Sequence, residues 1–206
     1  MKKLIRNREG FTLIELLVVI TIIGILATLA PSAINGVLTN ANQAKALNGA
    51  RNIGMAIKLY ANDNDGAFPD GDDANAAYNK LIPAYIKDKK SFFVKGCAYH
   101  GGKAKPGEQV TLEDGDNHWA YVKGLNNDSS EFIPVIVDGP KDGTTYSNKK
   151  TEKGGIWEGK VAIVVRVNGS ASKDTLKDLK LMTDTGKNAL ESNEDWPSTA
   201  KVVLPK

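Results

Sequence analysis

Residues 11–30, FTLIELLVVITIIGILATLA, form an apolar run with a single ionisable side chain, Glu15. As a helix these 20 residues rise about 30 Å, the thickness of bilayer hydrocarbon. A helix that is apolar on every face cannot serve as one wall of an ordinary domain core. Lys2, Lys3, Arg6 and Arg8 precede the run, and the next basic residue after it is Lys45. The positive-inside rule then places the N-terminus in the cytoplasm and the rest of the chain outside. A secretory signal peptide should have an apolar core of about 7–15 residues closed by a small-x-small cleavage site. Here the core is longer, and LATLAPSA offers only imperfect sites such as Thr28-x-Ala30. A plain membrane anchor accounts for the length but leaves Glu15 unexplained. An ionisable group within a span costs about 2.5–3.5 kcal/mol on insertion scales and marks a functional position by default.

The segment Gly10-Phe11-Thr12-Leu13-Ile14-Glu15 sits behind the basic leader and opens the apolar run. It resembles the type IV prepilin cleavage and methylation motif, and the resemblance covers residues 1–36. The resemblance implies that prepilin peptidase cuts between Gly10 and Phe11 on the cytoplasmic face and that Phe11 is N-methylated. It also implies that an inner-membrane assembly platform extracts the helix from lipid into a helical filament of copies of the chain. Glu15 then has a physical role. Cleavage leaves a cationic amine on Phe11, and in a dry filament core a carboxylate from a neighbouring copy can neutralise it. An unpaired buried charge is costly, so this pairing would set the axial register. Pro31 stands one position earlier than the proline of many family members. A proline inside a helix removes a backbone bond and bends the axis, so Gly24 and Pro31 are the expected kink.

Net charge is +3, but four basic residues and Glu9 give the first ten residues all of it, and residues 11–206 are neutral. The body therefore has no global electrostatic basis for binding nucleic acid. The lone Cys97 cannot form an intrachain disulfide, and the expected role is a small buried apolar residue.

From Ser32 to Tyr60 the helix continues amphipathically. Ile34, Val37, Leu38, Ala41, Ala44, Leu47, Ala50, Ile53, Ile57 and Tyr60 fall largely at spacings of three and four, with Gly49 and Gly54 permitting close packing. The loop at 62–73 places Asp63, Asp65, Gly66 and Asp72 at offsets near those of a calcium loop, but Ala61 occupies the first ligand position. The expected reading is a solvated helix end. A short helix is expected over 74–89 and strands at 91–95, 118–123, 132–138, 160–169 and 199–205. A hairpin turn is expected at Val167-Asn168-Gly169-Ser170 and a short helix over 173–182. This is an α+β, pilin-like fold: a long N-terminal helix on a small, mainly antiparallel sheet. The expected organisation is a cleaved leader (1–10), a transmembrane and filament-core helix (11–30), an amphipathic continuation (31–62), and a periplasmic or extracellular globular domain (63–206). A strand ending at Lys123-Gly124-Leu125, a strand ending at Asp138, Trp157 and the turn at 167–170 resemble the major pseudopilins of type II secretion. Many of those have Asp-Gly-His where this chain has Asn168-Gly169-Ser170.

No nucleophile elbow, HExxH or dinucleotide turn is present, so the chain reads as a substrate of processing enzymes rather than an enzyme. Gly96–Lys103 approaches a phosphate-binding loop but lacks its Gly-Lys-Ser/Thr ending. Cys97, His100 and His118 with Asp114 or Asp116 are the soft-ligand candidates for zinc, and the expected reading is none. Calcium-binding C-terminal loops occur in the type II secretion major subunit. The loop around Asp184, Glu191, Glu194 and Asp195 has carboxylates, but their spacing matches no such motif; Asp184, Glu194 and Asp195 are the calcium candidates, and the expected reading is a plain acidic loop. The expected function is a structural subunit of a type II secretion pseudopilus or a type IV pilus-like filament, without a cofactor. The alternative is a membrane-anchored extracytoplasmic binding protein such as a DNA-uptake pilin, using Lys87, Lys89, Lys90 and Lys95, or Lys149, Lys150 and Lys153.

Overall fold

One helix, α1 (Leu13–Asp63), carries both the apolar run and the amphipathic stretch. The computed structural model describes residues 10–87, 89–100, 111–192 and 195–206, with the side chains of residues 28–35 and 100 outside the description. The chain divides within α1 into two units, one ending at Ala41 and the other running from Asn42 to Lys206.

In the second unit α1 buries Ala46, Ala50, Ile53, Ala56, Ile57 and Ala61. These positions recur every three or four residues, so one stripe of the helix faces the core. The stripe differs slightly from the expected one: Ala44 is exposed, Ala46 is buried, and Leu47 and Tyr60 are half-buried. Gly54 lies in the stripe because the helix approaches the sheet there. A Cβ at Gly54 would stand 2.8 Å from Val165 Cγ1. The helix ends in a left-handed cap. Asp65 and Gly66 both have positive φ, and the Gly66 N–H donates to the Ala61 carbonyl at 2.8 Å. The Asp63 carboxylate accepts from the Tyr85 hydroxyl at 2.8 Å. The calcium-like spacing of 63–72 is thus explained by a helix stop.

Five strands form one antiparallel sheet in the order β4-β3-β2-β1-β5: β1 (Trp119–Lys123), β2 (Pro134–Asp138), β3 (Val161–Arg166), β4 (Ala171–Thr175) and β5 (Lys201–Val203). Side chains alternate between two cores, as the period of two requires. Val161, Ile163 and Val165 join the core that includes the α1 stripe. Ala162 and Val164 join a second core with Tyr146, Leu176, Leu181 and Leu190. Both faces of the sheet are therefore covered. The α+β arrangement expected from the sequence is the observed one.

Three local expectations differ. Helix α2 is only Ala74–Asn79, capped by Asp73, whose carboxylate accepts from Ala76 N at 2.9 Å. Around the expected strand at 91–95 the chain forms a 3-10 turn, Lys89–Phe92, while the Trp119 indole donates to the Ser91 carbonyl. Residues 171–175 are a strand rather than a helix. The turn closed by Arg166 N donating to Ser170 O folds them back onto β3, and Arg166 then bonds both Ser172 and Asp174 across the hairpin.

The two sides of α1 should respond differently to truncation. Ile53→Ala removes a fully buried side chain and should cost about 2–5 kcal/mol. Met55→Ala, two residues away and exposed, should cost no more than about 0.5 kcal/mol. Urea midpoints of the full chain in detergent check the difference.

Candidate functional site

The start of α1 is built from four adjacent residues. Thr12 and Glu15 form a reciprocal capping box. The Thr12 N–H and hydroxyl each donate to Glu15 Oε2 at 2.8 Å, and the Glu15 N–H donates back to Thr12 Oγ1 at 3.3 Å. The box starts the helix at Leu13, so Gly10 and Phe11 precede it. Both are exposed; Phe11 is 82% accessible, and a Cβ on Gly10 would touch nothing. The leader, residues 1–9, lies outside the described residues.

Beyond the box, every large apolar side chain from Leu13 to Leu26 is exposed, on all faces of the helix. Gly24 likewise has open space where a side chain would be. The backbone stays helical through Gly24, Pro31 and Gly36. Among the described residues no helix is long and apolar enough to cross a membrane. The described apolar side chains end at Ala27, and the rest of the run, to Ala30, lies outside them.

A family model for the prokaryotic N-terminal methylation motif matches residues 5–31. The N-terminal segment carries that motif. The type IV major fimbrial protein FimA of Dichelobacter nodosus is 34% identical over 109 residues, half of this chain. The chain spans 62% of the length of that relative. No solved structure matches the chain. The matched segment contains Gly10, Phe11 and Glu15, and the structure brings the Glu15 carboxylate to the Thr12 backbone, next to the Gly10-Phe11 pair.

A second cluster of polar groups is buried at one end of the sheet. His118 Nε2 lies 2.6 Å from Asp138 Oδ1, and both side chains are almost wholly inaccessible. Asp138 Oδ2 accepts from the Trp157 indole at 2.9 Å and from Ile163 N at 2.5 Å. The Tyr146 hydroxyl donates to the Asp138 carbonyl. One carboxylate therefore ties the start of β1, the start of β3 and the connection carrying Trp157. Burial alone would lower the His118 pKa. The Cys97 sulfur and the Asp138 carboxylate outweigh that and raise it to about 10. The His118 ring is held by the 2.6 Å contact to Asp138 and an edge contact with the Trp119 ring at 4.8 Å between centroids, with the Cys97 sulfur close enough to act on it. By residue type, His118 groups with Cys97, His100, Asp114 and Asp116 as soft-ligand candidates. In the structure Asp116 instead receives Lys89 at 2.5 Å, and the His100 side chain is outside the description.

Among the described residues, no group of three or more His, Cys, Asp or Glu side chains is placed to hold a metal ion. Asp184 and Asp195 line one crevice of about 330 Å³, while Glu194 lies outside the described residues. Of the candidate lysines, Lys87, Lys90 and Lys95 are exposed and Lys89 is buried. Lys149 pairs with Glu152, Lys150 is exposed, and Lys153 lies over the Tyr99 ring.

The raised His118 pKa carries a sign for stability. A histidine titrating near 6.5 when unfolded and near 10 when folded stabilises most fully below pH 6.5, and loses that contribution as pH rises towards 10. Denaturation of the full chain should show stability falling across this window, and His118→Gln should remove that slope. Asp138→Asn leaves the buried imidazolium unpaired and should cost about 3–5 kcal/mol.

Proposed function

We propose that this chain is a structural subunit of a pilus- or pseudopilus-type filament, made as a prepilin, cut between Gly10 and Phe11 and methylated on Phe11. The observation that carries this reading is a capped helix start followed by a helix whose apolar side chains are exposed on every face. A neighbouring helix of the same kind can cover those side chains, in lipid before assembly and in the filament core after it. Prepilin peptidase, its methyltransferase activity and an inner-membrane assembly platform are the implied partners, with the globular unit periplasmic or extracellular. The chain contributes surface and register, not chemistry, so we read it as a non-enzyme.

Glu15 is the proposed assembly residue. Thr12 occupies Oε2, and none of the bonds in the box uses Oε1, which is available to the Phe11 amine of a neighbour. The helical backbone through Gly24 and Pro31 supplies the proposed bend point. Two finer readings have separate support. Likeness of the body to type II secretion pseudopilins favours a pseudopilus, and similarity to a major fimbrial protein favours an extended pilus. A DNA-uptake role has less support, because the processed body is neutral and Lys89 is buried against Asp116.

Electron microscopy of filaments sheared from cells co-expressing the processing and assembly proteins tests the proposal. Glu15→Ala should abolish filaments while the subunit still accumulates in the membrane. Glu15→Ala subunits that assemble as well as the unsubstituted chain would contradict the register role.

A further inference from the structure

We propose that Phe132 of one copy seats in a groove lined by Met55, Leu59, Tyr85 and Ile86 on the next copy along the filament, an inference that rests on the filament reading above. Among the described residues of the unit from Asn42 onward, Met55, Leu59 and Phe132 are the large apolar side chains left exposed. Phe132 projects just before β2 and is 70% accessible, an unusual position for an aromatic ring in a chain that buries its three tryptophans. The groove lies between the outer side of α1 and the segment after α2, with Asn52 and Lys87 on its rim and a volume of about 350 Å³. That is the space of about ten water molecules, ample for one aromatic ring.

Charge favours the same pairing. Glu131 and Asp128, both exposed, stand beside the Phe132 knob in sequence, and Lys87, also exposed, stands on the groove. Among the described residues no carboxylate lines the groove, and the nearby Asp63 already accepts the Tyr85 hydroxyl. Near the knob, Arg166 is committed to Asp174, and Lys187 is the other cation of the adjoining crevice. An acidic knob and a basic-rimmed apolar groove on one neutral body are complementary between copies. Knob and groove share no residue, so the contact is heterologous. A heterologous contact that does not close into a ring propagates as an open helix, which is the symmetry a filament needs.

Photo-crosslinking reads this contact directly. Benzoylphenylalanine is placed at position 132 of the full-length chain, co-expressed with the processing and assembly proteins, and sheared filaments are irradiated and digested. The expected product has the mass of two subunits and joins position 132 to the Asn52–Leu59 stretch or to Tyr85–Lys87. Glu131→Lys should lower its yield about two- to fivefold, and adding Lys87→Glu in the same chain should restore it. Filaments in which position 132 joins residues 13–27, another surface of the neighbour, a different protein or nothing would overturn the contact and leave the filament reading standing. An unchanged yield in Glu131→Lys, or no restoration by Lys87→Glu, would overturn the charge pairing on which it rests. Absence of filaments from the unsubstituted chain would overturn both.

Discussion

The exposed apolar surface of the first half of α1 is the constraint on which the rest depends. From Leu13 to Leu26 the helix displays eleven large aliphatic side chains to its surroundings. Covering such side chains is worth about 1.5–3 kcal/mol each, on the order of 20 kcal/mol in total. Against that, placing Glu15 in an apolar environment costs about 2.5–3.5 kcal/mol on insertion scales. The gain from covering the aliphatic surface therefore outweighs the cost of Glu15 several-fold. Nothing within this segment can hide it, since the same helix is apolar on every side.

The second half of the same helix obeys the opposite rule. Its apolar side chains are confined to one stripe, and that stripe meets the sheet closely enough at Gly54 that a side chain there would collide with Val165. One continuous helical segment thus changes from a surface for other molecules to a wall of the chain's own core. Sheet and polar knot serve that wall. β3 alternates between the two cores, and Asp138 draws β1, β3 and the Trp157 connection together through one carboxylate.

Much of this was legible in the sequence because it depends on local pattern. The apolar run, the change to one-sided periodicity, and the β-branched strands at 134–138 and 161–166 each carry their own signal. The Asn168-Gly169 turn was also visible, but its consequence was not. The turn forces 171–175 into a strand through long-range pairing, overriding a helix-like local pattern. The same limit applies at the buried knot. Asp138, Trp157 and His118 are each visible in sequence, yet nothing in their spacing says that they meet; by residue type His118 groups with Cys97, which does act on it, while the Asp138 partner has no local signal. At the N-terminus Glu15 stood out as a charge in an apolar run. Its partner Thr12 is a capping-box residue at the standard spacing, a signal present in the sequence and outweighed there by the apolar context.

The central claim is that the chain functions as a processed subunit whose new N-terminus begins at the capped start of α1. Intact-mass and N-terminal peptide mass spectrometry of the protein recovered from cells with prepilin peptidase tests it most directly. The account predicts a mature chain beginning at Phe11 and carrying one added methyl group on its amine. A chain that retains Met1, or one that begins near Pro31 after loss of the whole apolar run, would contradict it.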